Sequence, residues 1–149
     1  MNLTYQFFDF SPRVFHQLRR LFGITSEEYL KSIGPENLIG SMVMGNIMSL
    51  KEQCSTGKSG SFFYYTSDSK YMLKTISHAE FVRLKTILKN YYDHMVKHPQ
   101  TLITRFFGLH KIKYNRDVGG IQRIYFIIMA NVFNTTRQIN VRYDLKGSK

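Results

Sequence analysis

In three stretches of the chain apolar residues return every third or fourth position; elsewhere they alternate or run together. After Ser11 and Pro12, the residues Val14, Phe15, Leu18, Leu21 and Phe22 share one helical stripe, and Arg13, His16, Arg19 and Arg20 take the opposite face. Ser11 as cap, proline at the first helical position and Gly23 beyond the last set the ends of this helix. A shorter helix starts at Thr25, which forms a capping box with Glu28, buries Tyr29, Leu30 and Ile33, and stops at Gly34 and Pro35. A second capping box, Ser77 with Glu80, opens the longest helix. Phe81, Leu84, Leu88, Tyr91, Tyr92 and Met95 line one side of it, Lys85, Lys89, Asp93 and Lys97 the other, and Pro99 follows its end.

The remaining apolar runs read as strands. Ser61 to Thr66 and Tyr71 to Ile76 form a hairpin about a polar turn at Asp68 and Ser69. Thr101 to Tyr114 and Arg123 to Asn131 form a second hairpin around a loop from Asn115 to Gly120; its last strand, apolar from Ile124 to Met129, should be central. Residues 35–56 show no clean period and read as an irregular connector with one helical turn near Ile47 to Gln53. With no repeat and no strand-helix alternation, the chain should be one α+β unit: an antiparallel sheet with N-terminal helices and one long helix.

Composition narrows the partners. The 149 residues suit one domain or a lobe of a larger one. Against 10 Asp and Glu stand 21 Lys and Arg, a net charge of +11 that favours phosphates, anionic membranes or nucleic acid. The aromatics follow core periods and do not form an exposed stacking platform, which disfavours nucleic acid. A single cysteine, Cys54, excludes an internal disulfide, so nothing argues for secretion. The first fifteen residues lack a continuous apolar core, and the longest apolar run, Ile124 to Ala130, is too short to span a bilayer, so a cytoplasmic, soluble or peripheral protein is expected. The ending RYDLKGSK closes no helix or strand, which suggests that the chain continues. His16, His78, His94, His98 and His110 show no metal-ligand spacing, and no protein-held metal is assigned.

The candidate chemistry lies in the first hairpin. Gly57 and Gly60 permit close backbone approach, and Ser59 and Ser61 leave room for a large anion. Lys74 shares a strand face with Met72 and Ile76, a costly place for an unpartnered ammonium. A glycine turn between strands is usually only a turn, and a strand lysine usually snorkels to water. A Walker loop is excluded because Glu52 stands where its first glycine would be; the three-glycine kinase loop is matched only in part. Glu80 either caps Ser77 or reaches Lys74.

In order, FSPRVFHQLRRLFGI, EEYLKSI, GKSGSFFYYTSD, YMLKTISHAE, LKNYYDH, TLITRFFGLHKIK and RYDLKGS resemble the phosphatidylinositol phosphate kinases over nearly the whole chain, the 35–56 connector excepted. GKSGSFFY and TLITRFFGLH look more like the type I enzymes, which make phosphatidylinositol 4,5-bisphosphate from the 4-phosphate, and ANVF somewhat more like type II. The resemblance implies the N-terminal lobe of a protein-kinase-like, SAICAR synthase-like fold spanning 1–149, with the catalytic and metal-binding aspartates and the specificity loop in a C-terminal lobe beyond it. It implies that Gly57, Lys58, Ser59, Gly60 and Ser61 cover ATP, that Lys74 holds its phosphates and that Glu80 meets Lys74. It further implies that Asn131, Val132 and Phe133 meet adenine, and that Arg142, Asp144 and Lys146, with Gly147 and Ser148, stand near the inositol phosphates. Mg²⁺ would be held from the other lobe. Partners would be phosphoinositide lipid, the cytosolic face of the plasma membrane, and a second copy in a homodimer. The alternative is a non-catalytic basic module that binds phosphoinositide membranes.

Overall fold

The computed structural model describes residues 5–34, 63–116 and 120–143. Its order is β1 (Tyr5–Asp9), α1 (Pro12–Leu21), α2 (Ser26–Ile33), β2 (Phe63–Tyr65), β3 (Tyr71–Ile76), α3 (His78–Lys97), β4 (Phe106–Arg116) and β5 (Gly120–Ala130). The five strands form one antiparallel sheet in the order β1-β4-β5-β3-β2, with β5 central as its apolar run predicts. This is the α+β architecture read from the sequence.

Both predicted capping boxes are present. Thr25 and Glu28 cap each other at the start of α2, and Ser77 and Glu80 do so at the start of α3. At the other end of α1, Gly23 sits at φ 72°. Its N–H bonds the Arg20 carbonyl and that of Ile24 bonds the Arg19 carbonyl, the paired closure that a left-handed glycine allows. The opening of α1 differs from the reading: Ser11 holds φ 51° and makes no side-chain cap, so proline alone marks the start.

The sheet carries a core on each face. On one, Tyr29 and Ile33 of α2 meet Tyr71, Leu73, Phe107, Ile112, Tyr114, Phe126 and Ile128. On the other, Phe15 and Leu18 of α1 join Phe81, Leu84, Leu88, Tyr91 and Met95 of α3 over Leu109, Ile127 and Met129. A bulge in β4 sorts the faces. Phe106 pairs Met129 and Gly108 pairs Ile128, so Phe107 is the extra residue. Phe106 and Leu109 therefore pack on the α3 side, whereas Phe107 lies in the α2-side core and His110 stands against Phe126 of that core.

Several sequence expectations are corrected. The strand β1 was not anticipated. The segment 101–105 is not strand: Tyr91 Oη donates to the Thr104 carbonyl at 2.9 Å and accepts from the Phe106 N–H at 2.7 Å, which ties the segment to α3. The second hairpin extends through Arg116 and resumes at Gly120, making its loop shorter than expected. Leu21 and Leu30 are exposed; α1 buries Phe15 and Leu18, and α2 buries Tyr29 and Ile33. Arg19 turns inward, where its Nη1 donates to the Phe107 carbonyl at 2.6 Å.

Candidate functional site

The register of the first hairpin places Lys74 between Phe63 of β2 and Ile127 of β5. Its face is the one covered by α3, alongside Met72 and Ile76, as strand alternation requires. Lys74 Nζ stands 3.8 Å from Glu80 Oε1 and 5.9 Å from the centre of the Phe63 ring. Glu80 does both of the jobs that the sequence allowed. Its Oε2 accepts the Ser77 N–H at 2.6 Å while Oε1 faces the lysine, so cap and ion pair use different oxygens. The Ser77 backbone and then its side chain, more than Lys74, hold the Glu80 carboxyl below the usual carboxylate range.

The two side chains are 28% and 49% exposed, so the pair contributes below about 1 kcal/mol to stability. What it provides is direction. An ammonium carries three donors, and one turned toward Glu80 leaves two for another anion. The groove beside the pair has a volume of about 250 Å³ and is walled by Ile76, Leu84, Phe106, Ile127 and Met129, with Arg83 and Ile87 at its outer side. Apolar walls raise the effect of a charge at the rim because they exclude water from one side of it.

The linker candidates follow β5. Asn131 donates its N–H to the Lys70 carbonyl at 3.0 Å and its Nδ2 to the Ser69 carbonyl at 2.7 Å, and its Oδ1 accepts the Phe133 N–H at 3.0 Å. Val132 is 71% exposed. Lys74 pairs Ile127, four residues before Asn131, which separates them by about 13 Å along the strand. Arg142 meets the linker directly, its Cζ lying 4.4 Å over the Phe133 ring. The structure thus joins Lys74 to Glu80 and Phe133 to Arg142. Gly57, Lys58, Ser59, Gly60, Ser61, Asp144, Lys146, Gly147, Ser148 and the 35–56 connector lie outside the described residues.

Phe63 was not singled out from the sequence, although counting back from the Asp68 turn places it opposite Lys74. Both Glu80 oxygens are already engaged. Among the described residues no three His, Cys, Asp or Glu side chains converge. Among them too, no helix is long and apolar enough to cross a membrane.

The sequence profile of the family described as phosphatidylinositol-4-phosphate 5-kinase matches residues 44–149. A phosphatidylinositol 4-phosphate 5-kinase of Plasmodium falciparum is 46% identical over 143 residues, which cover 95% of this chain and 8% of that protein. One from Schizosaccharomyces pombe is 40% identical, covering 97% of this chain and 17% of its own length. Phosphatidylinositol 4-phosphate 5-kinase 3 of Arabidopsis thaliana is 41% identical, covering 99% and 19%. The chain thus spans between 8% and 19% of the length of these relatives.

Proposed function

Because the chain belongs to the phosphatidylinositol-4-phosphate 5-kinase family, we propose that these residues are the nucleotide-cradling lobe of a lipid kinase. The whole protein would transfer the γ-phosphate of ATP to phosphatidylinositol 4-phosphate, the substrate named for its relatives. The observation that carries this reading is the Lys74–Glu80 pair at the rim of an apolar groove. Lys74 donates to phosphate oxygens and Glu80 fixes its direction. Phosphoryl transfer depends mainly on positioning and charge neutralisation, which a lysine aimed from a sheet provides.

In this reading Gly57, Lys58, Ser59, Gly60 and Ser61 lie over the phosphates, and Asn131, Val132 and Phe133 offer backbone groups to adenine. Arg142, Asp144 and Lys146 stand toward the inositol phosphates, consistent with the contact of Arg142 on the linker. Mg²⁺ arrives with the nucleotide and takes protein ligands from outside this lobe. The net charge of +11 draws the lobe to an anionic surface, and we place it at the cytosolic face of the plasma membrane as a peripheral protein.

The test is Lys74→Met in the complete protein, assayed for ATP-dependent phosphorylation of phosphatidylinositol 4-phosphate in vesicles. Transfer should fall about a thousandfold, some 4 kcal/mol in barrier, with an unchanged melting temperature. Wild-type turnover would remove Lys74 from the mechanism. Vesicle binding that persists beside an inactive wild-type enzyme would favour the non-catalytic basic module instead.

A further inference from the structure

On the sheet face opposite Lys74, a cavity of about 190 Å³ opens between β1, β4, α1 and α2. Asp9, Arg19, Tyr29 and His110 form its polar end, Ser26 also lines it, and Phe7, Leu30 and Ile33 are its apolar lining. Tyr29 and His110 are each only 6% exposed. Among the described residues, Arg19 Nε, Tyr29 Oη and both ring nitrogens of His110 are buried without a hydrogen-bond partner. Buried polar atoms are nearly always satisfied, so four orphans at one end of one cavity point to something that belongs there.

The neighbouring geometry keeps that end open. Arg19 spends its Nη1 on the Phe107 carbonyl and lies over the Tyr29 ring, Cζ 4.2 Å from its centre, so it meets the ring face. Asp9 Oδ1 is 3.3 Å from His110 Nδ1, but not in hydrogen-bond alignment. The residue at the bulge is Gly108, where a methyl group would fall inside contact distance of His110 Nε2 and Tyr29 Oη. The glycine therefore clears space between two groups that lack partners.

Charge and size define the occupant. One carboxylate and one guanidinium balance each other, and burial, reinforced by Arg19, lowers His110 to about 3, so its ring is neutral near pH 7. A charged ligand would lose its hydration and find no uncompensated countercharge. The neutral imidazole has one donor and one acceptor, Arg19 Nε donates and Tyr29 Oη does either, so the ligand must both accept and donate. An apolar cavity of about 150 Å³ holds benzene, and a buried water needs two to four polar partners. Phe7, Leu30 and Ile33 offer water none, so solvent suits only the polar end.

We propose that this cavity is a binding site for an uncharged, ring-sized molecule carrying one group that both donates and accepts hydrogen bonds, such as a carboxamide or a hydroxyl. The apolar ring lies against Phe7, Leu30 and Ile33, and the polar group meets Arg19, Tyr29 and His110. The site is separate from the nucleotide groove and stands whether or not the proposed kinase reading does.

The test titrates the complete protein, ¹⁵N-labelled, with benzamide, and with benzoate and benzylamine as charged counterparts of the same shape. Benzamide should bind saturably with a low-millimolar Kd, about what some nine heavy atoms gain. The charged probes should bind at least roughly tenfold more weakly. Leu30 is 59% exposed, so Leu30→Trp should close the mouth without unfolding the chain and abolish saturation. Tyr29→Phe should weaken benzamide about threefold to tenfold. The proposal is overturned if benzamide does not saturate, if all three probes bind alike, or if a folded Leu30→Trp chain binds benzamide as the wild type does.

Discussion

On the α3 side of the sheet Lys74 and Glu80 stand at the rim of a groove, their side chains 28% and 49% exposed. On the α2 side Tyr29 and His110 lie beneath the helices, each 6% exposed, with orphaned polar atoms. The same sheet presents both arrangements, Lys74 from β3 and His110 from β4. A rim charge keeps much of its hydration and can exchange water for a phosphate at little cost, whereas a buried polar atom carries its desolvation penalty at all times. The first arrangement suits a ligand that comes and goes in each turnover. The second suits one that stays.

The largest effect that separates the faces is acid lability. The unfolded chain protonates His110 near 6.5, whereas the folded one resists until about 3, so between these values the unfolded state binds the extra proton and gains as pH falls. Stability should drop by on the order of 4 kcal/mol across that window, and urea midpoints measured from pH 7 down to about 3.5 should show it. Asp9 acts with the opposite sign: burial raises its carboxyl, so its contribution is present below its ordinary 3.8 and fades as pH rises through the raised value. His110→Gln should flatten the curve; parallel curves for the two proteins would place the lability elsewhere.

A smaller effect belongs to the α3 face. Glu80→Ala in the complete protein should lower lipid phosphorylation about a hundredfold, near 2.7 kcal/mol in barrier. Its folding stability should fall by under about 1 kcal/mol, because the ion pair is solvated and Ser77 Oγ still caps the Glu80-position N–H at 3.2 Å. A stability loss as large as the activity loss would make Glu80 a structural residue only. Next comes Gly108→Ala, which forces His110 and Tyr29 apart and should cost roughly 2 kcal/mol in urea unfolding. An unchanged midpoint would mean that the α2 face has room to yield. The smallest is Ser77→Ala, about 1 kcal/mol by thermal melting, with KM for ATP nearly unchanged.

Much of this fold was legible because its signals are local. The boxes at Thr25 and Ser77 depend on residues three apart, and strand β3 runs from Tyr71 to Ile76 as its alternation states. The Lys74–Glu80 contact was readable as one of two options, and only coordinates could reveal that separate oxygens serve each. Strand β1 was missed because YQFFD owes its pairing to β4, about a hundred residues away along the chain, from Tyr5 with Tyr114 to Asp9 with His110. The inward turn of Arg19 was hidden for a similar reason: a helical stripe shows which residues share a face, but the acceptor that draws Arg19 in is a backbone carbonyl on β4. The extra residue at Phe107 left no mark in the pattern, so the alternation of β4 could not be carried through to His110.

That one-residue offset makes β4 two segments set out of phase. Removing Phe107 would restore regular pairing and leave Leu109 opposite Ile127 and His110 opposite Phe126, each on the face it now holds, whereas a regular ladder that kept Phe107 would turn the imidazole to the wall beneath α3 and Leu109 toward α2. The one extra residue thus decides which compartment receives the imidazole, which makes the length of this strand as consequential as its composition.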